Sequence, residues 1–211
     1  MKKKLKIAID SPAASGAGTQ SKMISNYYNL FHLDTGKLYR YIAKIYINNN
    51  SKINYSLFKN KIHKMKLKEL NDENLLLNKY SVAASILAKD KKIRKIVYRT
   101  QKVLAYNPPK KFKGSCLDGR DITYNIIPDA DVKLYLTASL KIRSIRRYKE
   151  LRKFNNKLKF IEVYNAIKLR DYNDKNRKIA PLKKTKDAIV INTSKLTKNE
   201  CFKKIKKIID I

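Results

Sequence analysis

Leu5-Lys6-Ile7-Ala8-Ile9-Asp10-Ser11-Pro12-Ala13-Ala14-Ser15-Gly16-Ala17-Gly18-Thr19 is the stretch that decides the fold. Leu5 to Ile9 is a short apolar run closed by Asp10-Ser11-Pro12, and it reads as a buried strand ending in a turn. A helical pattern then runs from Thr19 to Tyr28, so only small residues separate strand from helix. Such a turn lets backbone N–H groups approach phosphate oxygens, with the positive end of the helix behind them. The segment has the shape of a phosphate-binding loop, G-x-x-x-x-G-K, with two defining positions changed. Ser11 stands for the first glycine and Ala17 for the lysine. A tight turn that binds nothing is the competing reading of this segment taken alone.

Outward from the loop, short apolar runs alternate with longer helical patterns. Further strands are expected at Leu30 to Leu33, Ser115 to Leu117, Val132 to Leu136 and Ala188 to Ile191. Helices are expected at Lys37 to Ile47, Lys91 to Tyr106, Leu140 to Arg152 and Thr197 to Ile209, the last opened by a Thr197/Glu200 capping box. Strands separated by helices of this length predict an α/β fold with a parallel sheet and right-handed crossovers. Ligands in such sheets sit beyond the carboxyl ends of strands, where Asp10, Asp34 and Asp118 fall. After a polar break at Asn48 to Ser51 the pattern stays helical to about Tyr106, which reads as an inserted helical subdomain. A second charged helical stretch lies at roughly Tyr148 to Lys175.

The chain has 211 residues, with 50 Lys+Arg against 17 Asp+Glu and a net charge of +33. At 43% hydrophobic residues it can bury a core, so the charge does not imply disorder. The charge favours polyanionic partners without choosing among nucleotides, nucleic acid and anionic membrane. A compositional bias towards Lys, Asn and Ile accounts for most of it. Cys116 and Cys201 lie far apart without metal-ligand spacing, which fits a reducing, cytoplasmic setting. The basic start M-K-K-K is followed by an apolar run too short for a signal peptide, and no segment reaches the roughly 20 apolar residues of a membrane span.

Six further blocks occur in one order: L-D-T-G-K-L-Y-R (33–40), L-D-G-R-D (117–121), P-D-A-D-V-K-L-Y-L-T-A-S (128–139), R-R-Y (146–148), R-D-Y-N-D-K-N-R-K-I-A-P-L (170–182) and D-A-I-V-I-N-T-S (187–194). Together they resemble the bacterial cytidylate kinase family, from about Ile7 to the end of the last helix and thinly from Asn48 to Asn78. The resemblance implies a P-loop NTPase fold: a five-stranded parallel core in a single domain, with a nucleoside-monophosphate-binding insert at about 50–106 and a lid at about 148–175. It implies phosphoryl transfer from ATP to CMP or dCMP, Mg²⁺ as cofactor, a monomer, and neither a specific nucleic-acid partner nor a membrane.

By that resemblance Ser11, Pro12, Ala13, Ala14, Ser15, Gly16, Ala17, Gly18 and Thr19 cradle the donor phosphates, and Asp118 holds the waters around Mg²⁺. Arg120 faces the acceptor phosphate. Arg143 and Arg147, one turn apart, serve the adenine side and the phosphates. Ser85, Arg94 and Asp121 read cytosine: a carboxylate, a guanidinium and a hydroxyl match the donor and acceptor edge of that base. Arg170, Asp174 and Arg177 meet ribose and phosphates as the lid closes, and Thr35 and Tyr39 line the acceptor pocket.

Two departures stand out. Ala17 removes the lysine that spans the donor phosphates in this family, which should cost several kcal/mol of barrier unless replaced. Lys37 stands where the family has a small residue after D-T-G, and it is the expected substitute. Thr123, Tyr124 and Asn125 replace a glycine and small residues, which unsettles the loop after Asp121. The loss at Ala17 keeps open a nucleotide-binding protein without catalysis, and the charge keeps open a nucleic-acid-binding protein, although no nucleic-acid motif is present.

Overall fold

The computed structural model describes residues 4–211; the start of the basic run, residues 1–3, lies outside the described residues. Five strands, β1 (Leu5–Asp10), β2 (Phe31–Asp34), β3 (Gly114–Gly119), β4 (Val132–Thr137) and β5 (Ile189–Asn192), form one sheet. Every pairing is parallel, and the order is β2-β3-β1-β4-β5. The helices are α1 (Ala17–Tyr28), α2 (Thr35–Asn48), α3 (Tyr55–Lys64), α4 (Asn78–Leu87), α5 (Lys91–Tyr106), α6 (Leu140–Arg152), α7 (Phe160–Asn176) and α8 (Lys198–Ile209). Two short 3₁₀ turns, Leu67–Asn71 and Glu73–Leu76, join α3 to α4.

Alternation along β1 builds two cores, because successive side chains of a strand point to opposite faces. Ile7 and Ile9 join Ile24, Leu30, Cys116, Leu134, Leu136 and Ile205 on one face. Ala8 joins Leu33, Leu38, Ile42, Leu117, Ile122 and Ile127 on the other. Residues Ile7 to Asp10 have no solvent exposure, as expected of a strand with neighbours on both edges. Gly114 is needed for the pairing with β3. A side chain there would begin 2.0 Å from the Leu5 carbonyl oxygen.

The five expected strands and the expected helices all form, with ends displaced by a few residues. The helical stretch after Asn48 divides into α3, the 3₁₀ turns, α4 and α5. The stretch from Tyr148 is broken after Arg152, where residues 153–159 intervene before α7. The Thr197/Glu200 box is present: the Glu200 N–H donates to Thr197 Oγ1 at 3.2 Å, and the Thr197 N–H to Glu200 Oε2 at 2.8 Å. Both cysteines are free and buried. Among the described residues no helix is long and apolar enough to cross a membrane.

Candidate active site

The chain order places β1 centrally and its loop where the crossovers diverge: β3 lies on one side, β4 on the other. In that loop Ala14 (φ 58°) and Gly16 (φ 91°) adopt left-handed conformations. Interrupting the normal hand in this way turns successive N–H groups towards one concavity. Ala14 does so without the freedom of glycine, at a cost of about 1 kcal/mol. The loop is braced from behind. Ser11 N–H donates to the Gly119 carbonyl at 3.2 Å, and Thr193 Oγ1 donates to the Ser15 carbonyl at 2.9 Å.

Asp10, fully buried, accepts from Ile122 N–H (2.8 Å), Thr123 N–H (2.9 Å) and Thr123 Oγ1 (2.6 Å). It therefore ties the start of the loop to the π-helical turn Ile122–Ile126. Burial pushes the Asp10 carboxyl up to about 6 despite these donors. A raised carboxyl binds its proton more tightly in the folded state, so its contribution to stability is greatest below about pH 4 and is lost as pH rises to about 6. Wild type should accordingly lose on the order of 3 kcal/mol of stability relative to Asp10→Asn across that window. Urea denaturation at a series of pH values measures this; a flat difference would contradict it.

Asp118 closes β3 beside the loop. Its Oδ1 accepts from Ser21 Oγ at 2.7 Å and from His32 Nε2 at 2.9 Å, and Ser21 and His32 are themselves 2.8 Å apart. Both donors hold the same oxygen, so Oδ2 is left for the crevice. A side chain on Gly18 would begin 3.8 Å from Oδ2, and glycine keeps that approach clear. One oriented carboxylate beside a phosphate cradle suits Mg²⁺, which takes one or two carboxylates and keeps waters and substrate phosphates for the rest.

Across the crevice lies a lattice of buried charges. Arg94 Nη2 and Asp121 Oδ2 pair at 2.7 Å, with both side chains 8% exposed. Asn125 Nδ2 also donates to Asp121 Oδ2 at 2.7 Å, and Arg177 Nη2 stands 3.7 Å from Oδ1. Asp174 takes Arg120 Nε at 2.8 Å, with Arg170 and Arg177 at 3.8 and 3.6 Å. Burial and the surrounding charges of Arg120, Arg40 and Arg147 depress Arg170 to about 10, with only Asp174 opposing. Asp34 is half-buried, and Arg40, His32, Lys37 and Arg120 together hold its carboxyl below the usual range. Five guanidiniums, Arg40, Arg94, Arg120, Arg170 and Arg177, thus share the region with four carboxylates, Asp34, Asp118, Asp121 and Asp174. Two of their buried N–H groups, Arg170 Nε and Arg177 Nη2, have no hydrogen-bond partner among the described residues. An excess of desolvated cations with free donors is a seat for anions.

Most residues singled out in the sequence meet here. Thr35 Oγ1 donates to the Asp118 carbonyl at 2.8 Å, and the Arg94 guanidinium lies 5.7 Å over the Tyr39 ring. Thr123, Tyr124 and Asn125 each have a fixed partner: Asp10, the Pro181 carbonyl and Asp121. Lys37 lies in the first turn of α2, near enough to Asp34 to act on its charge. Ser85 turns back on its own helix, donating to the Val82 carbonyl at 2.8 Å. Arg143 reaches the loop but donates to the Ala13 and Ala138 carbonyls and pairs with Asp171 at 2.6 Å. Arg147 points elsewhere, towards Glu150 and the Leu76 carbonyl.

Sequence reading passed over Arg40, Arg146 and the Ser21–His32 clamp. Arg146 donates to the Thr193 hydroxyl and carbonyl at 2.9 and 2.7 Å, and its Nη1 is 3.9 Å from where a Gly16 side chain would begin. It has no carboxylate partner among the described residues. The available signal was its type: an arginine, in a chain that otherwise uses lysine, within a block already singled out.

A model of the cytidylate kinase family matches residues 7–210. A cytidylate kinase of Mesomycoplasma hyopneumoniae is 38% identical over 98% of this chain and 94% of its own length. One from Bartonella tribocorum is 39% identical over 93% and 90%, and one from Thermosipho melanesiensis 35% over 97% and 96%. A crystal structure of an uncharacterized protein from Eubacterium ventriosum shares the fold, with a TM-score of 0.55, 15% identity and 98% of each chain covered.

Proposed function

The chain belongs to the cytidylate kinase family, and from that premise we propose how its own residues divide the reaction. The reaction is transfer of a phosphoryl group from ATP to CMP or dCMP, giving ADP and CDP or dCDP. It needs little covalent work from the protein; positioning and charge neutralisation carry it. The observation that supports the assignment is the guanidinium excess beside the base-reading pair, with two buried N–H groups that make no hydrogen bond.

Residues Ser11 to Thr19 cradle the donor phosphates through backbone N–H groups, with Arg143 and Arg146 bracing the loop from α6. Asp118 Oδ2 would hold the waters of Mg²⁺, which when bound would offset the charge of the donor phosphates. Arg94, Asp121 and Ser85 read the cytosine edge, above Tyr39 and Thr35. Asp174 accepts from ribose hydroxyls. Arg120, Arg170, Arg177 and Arg40 receive the acceptor phosphate and the group in transit. The helices at about 50–106 act as the acceptor-binding insert and those at about 148–175 as the lid. Lys89 already joins them, its Nζ donating to Asn173 Oδ1 at 3.3 Å. The protein works as a cytoplasmic monomer on small nucleotides, without a specific nucleic-acid partner.

Lys37 supplies the ammonium missing at Ala17. A lysine in the first turn of a helix opposes the macrodipole, so a purely structural role does not favour it there. Lys37→Ala should lower kcat by about a hundredfold with little change in KM for CMP, while Lys37→Arg retains part of the rate. A coupled ADP-release assay with ATP, Mg²⁺ and CMP decides this. Full turnover in Lys37→Ala would reject the role.

A further inference from the structure

Away from the crevice, α3 and α5 enclose a cavity of about 420 Å³ on the outer side of the insert. Its walls carry five basic side chains: Lys59 and His63 from α3, and Lys92, Lys95 and Arg99 from α5. No carboxylate lines it. A second cavity of similar size, between α2 and α3, sets Lys44 and Lys61 against Glu69 and Asp72, with Lys44 and Asp72 paired at 2.7 Å. Lys133 and Lys206, both half-buried, likewise meet Asp187 and Asp210. None of the five basic side chains of the first cavity has an ion pair among the described residues.

The cavity is not a bare patch of charge. Ile62 and Ile96 form an apolar floor, and Tyr55 closes one end with the Lys92 ammonium 5.0 Å from its ring centre. The Ser56 and Thr100 side chains add hydroxyls. Flat apolar surface, hydroxyls and clustered permanent cations are the complements of a base, a sugar and a polyphosphate, and the volume lies in the usual range of small-ligand sites. Lys59, Lys92, Lys95 and Arg99 together balance the charge of a triphosphate. We propose that this cavity is a second nucleotide site, taking a nucleoside triphosphate that is neither donor nor acceptor in the reaction. Its occupant rests on the helix that carries Arg94. Tyr55, at the cavity end, donates to Asp90 Oδ2 at 2.9 Å, while Asp90 Oδ1 caps α5 through the Lys92 and Ile93 N–H groups.

The test is the stoichiometry of a non-hydrolysable ATP analogue, measured by calorimetry on wild type and on the Lys95→Glu/Arg99→Glu variant. Both substitutions lie on the outer face of α5, so kcat and KM should not change. Wild type should bind about two molecules per chain and the variant about one. Inorganic tripolyphosphate should displace the second molecule only at about tenfold higher concentration, since it leaves the ring and floor unused. Equal potency would overturn the nucleoside part of the proposal. One molecule per chain in wild type, or two in both proteins, would overturn the site. So would a short RNA that binds wild type and not the variant while the nucleotide stoichiometry stays at one.

Discussion

Asp118→Asn should lower kcat by about a hundred- to a thousandfold and leave the fold standing. The amide oxygen can still accept from Ser21 Oγ and His32 Nε2, so the clamp on that side persists. The other side changes from an anion to a neutral N–H donor, at the point that looks past Gly18 towards the donor phosphates. A Mg²⁺-bound water donates hydrogen bonds, and an amide N–H facing it repels where a carboxylate attracts. The affinity of the Mg²⁺–ATP complex should weaken together with kcat, whereas CMP binding, which we assign to Asp121 and Arg94, should not. Thermal unfolding should stay within a few degrees of wild type. Turnover within a few-fold of wild type would remove Asp118 from the reaction.

The second large effect concerns Arg94 and Asp121. Removing one member of a buried pair leaves the other charged and desolvated, at a cost of about 3–5 kcal/mol. Asp121→Ala strands the Arg94 guanidinium and frees Asn125, while Arg177 keeps Asp174 at 3.6 Å. Replacing the pair by apolar groups, Arg94→Met with Asp121→Leu, should recover most of that stability, because no lone charge remains. It should not recover recognition of CMP, whose kcat/KM should remain at least about a hundredfold down. Urea titration followed by tyrosine fluorescence suits a chain with 14 Tyr and no Trp. A double variant that regains both stability and CMP turnover would make the pair structural only.

The parts of this molecule legible in sequence were those whose information is local. A strand of Ile-Ala-Ile ending in Asp10, small residues, then a helix cannot be arranged in many ways. The acids at strand ends fall where parallel sheets place ligands. The less legible parts depend on which way a side chain leaves a helix and what the fold brings opposite it. Arg146 and Arg147 are neighbours in sequence, yet a turn of about 100° sends one to Thr193 and the loop and the other to the insert. His32 gave no motif signal, because its meaning comes from Asp118, 86 residues away. Tyr124 looked like a departure from the family, and its purpose appears only with the Pro181 carbonyl beside it.

The position of β1 has a consequence for how the chain is made. Its two neighbours in the sheet are β3 and β4, so Leu5 waits for Gly114, and Ile7 for Val132. On the ribosome the strand before the loop is made before either edge that it joins, and more than a hundred residues separate Leu5 from Gly114. Helices α2 to α5 pack largely on one another and can assemble in the interval, while β1, apolar on both faces, stays exposed. The nucleotide cradle is therefore completed late, and early truncation products would present its strand unpaired.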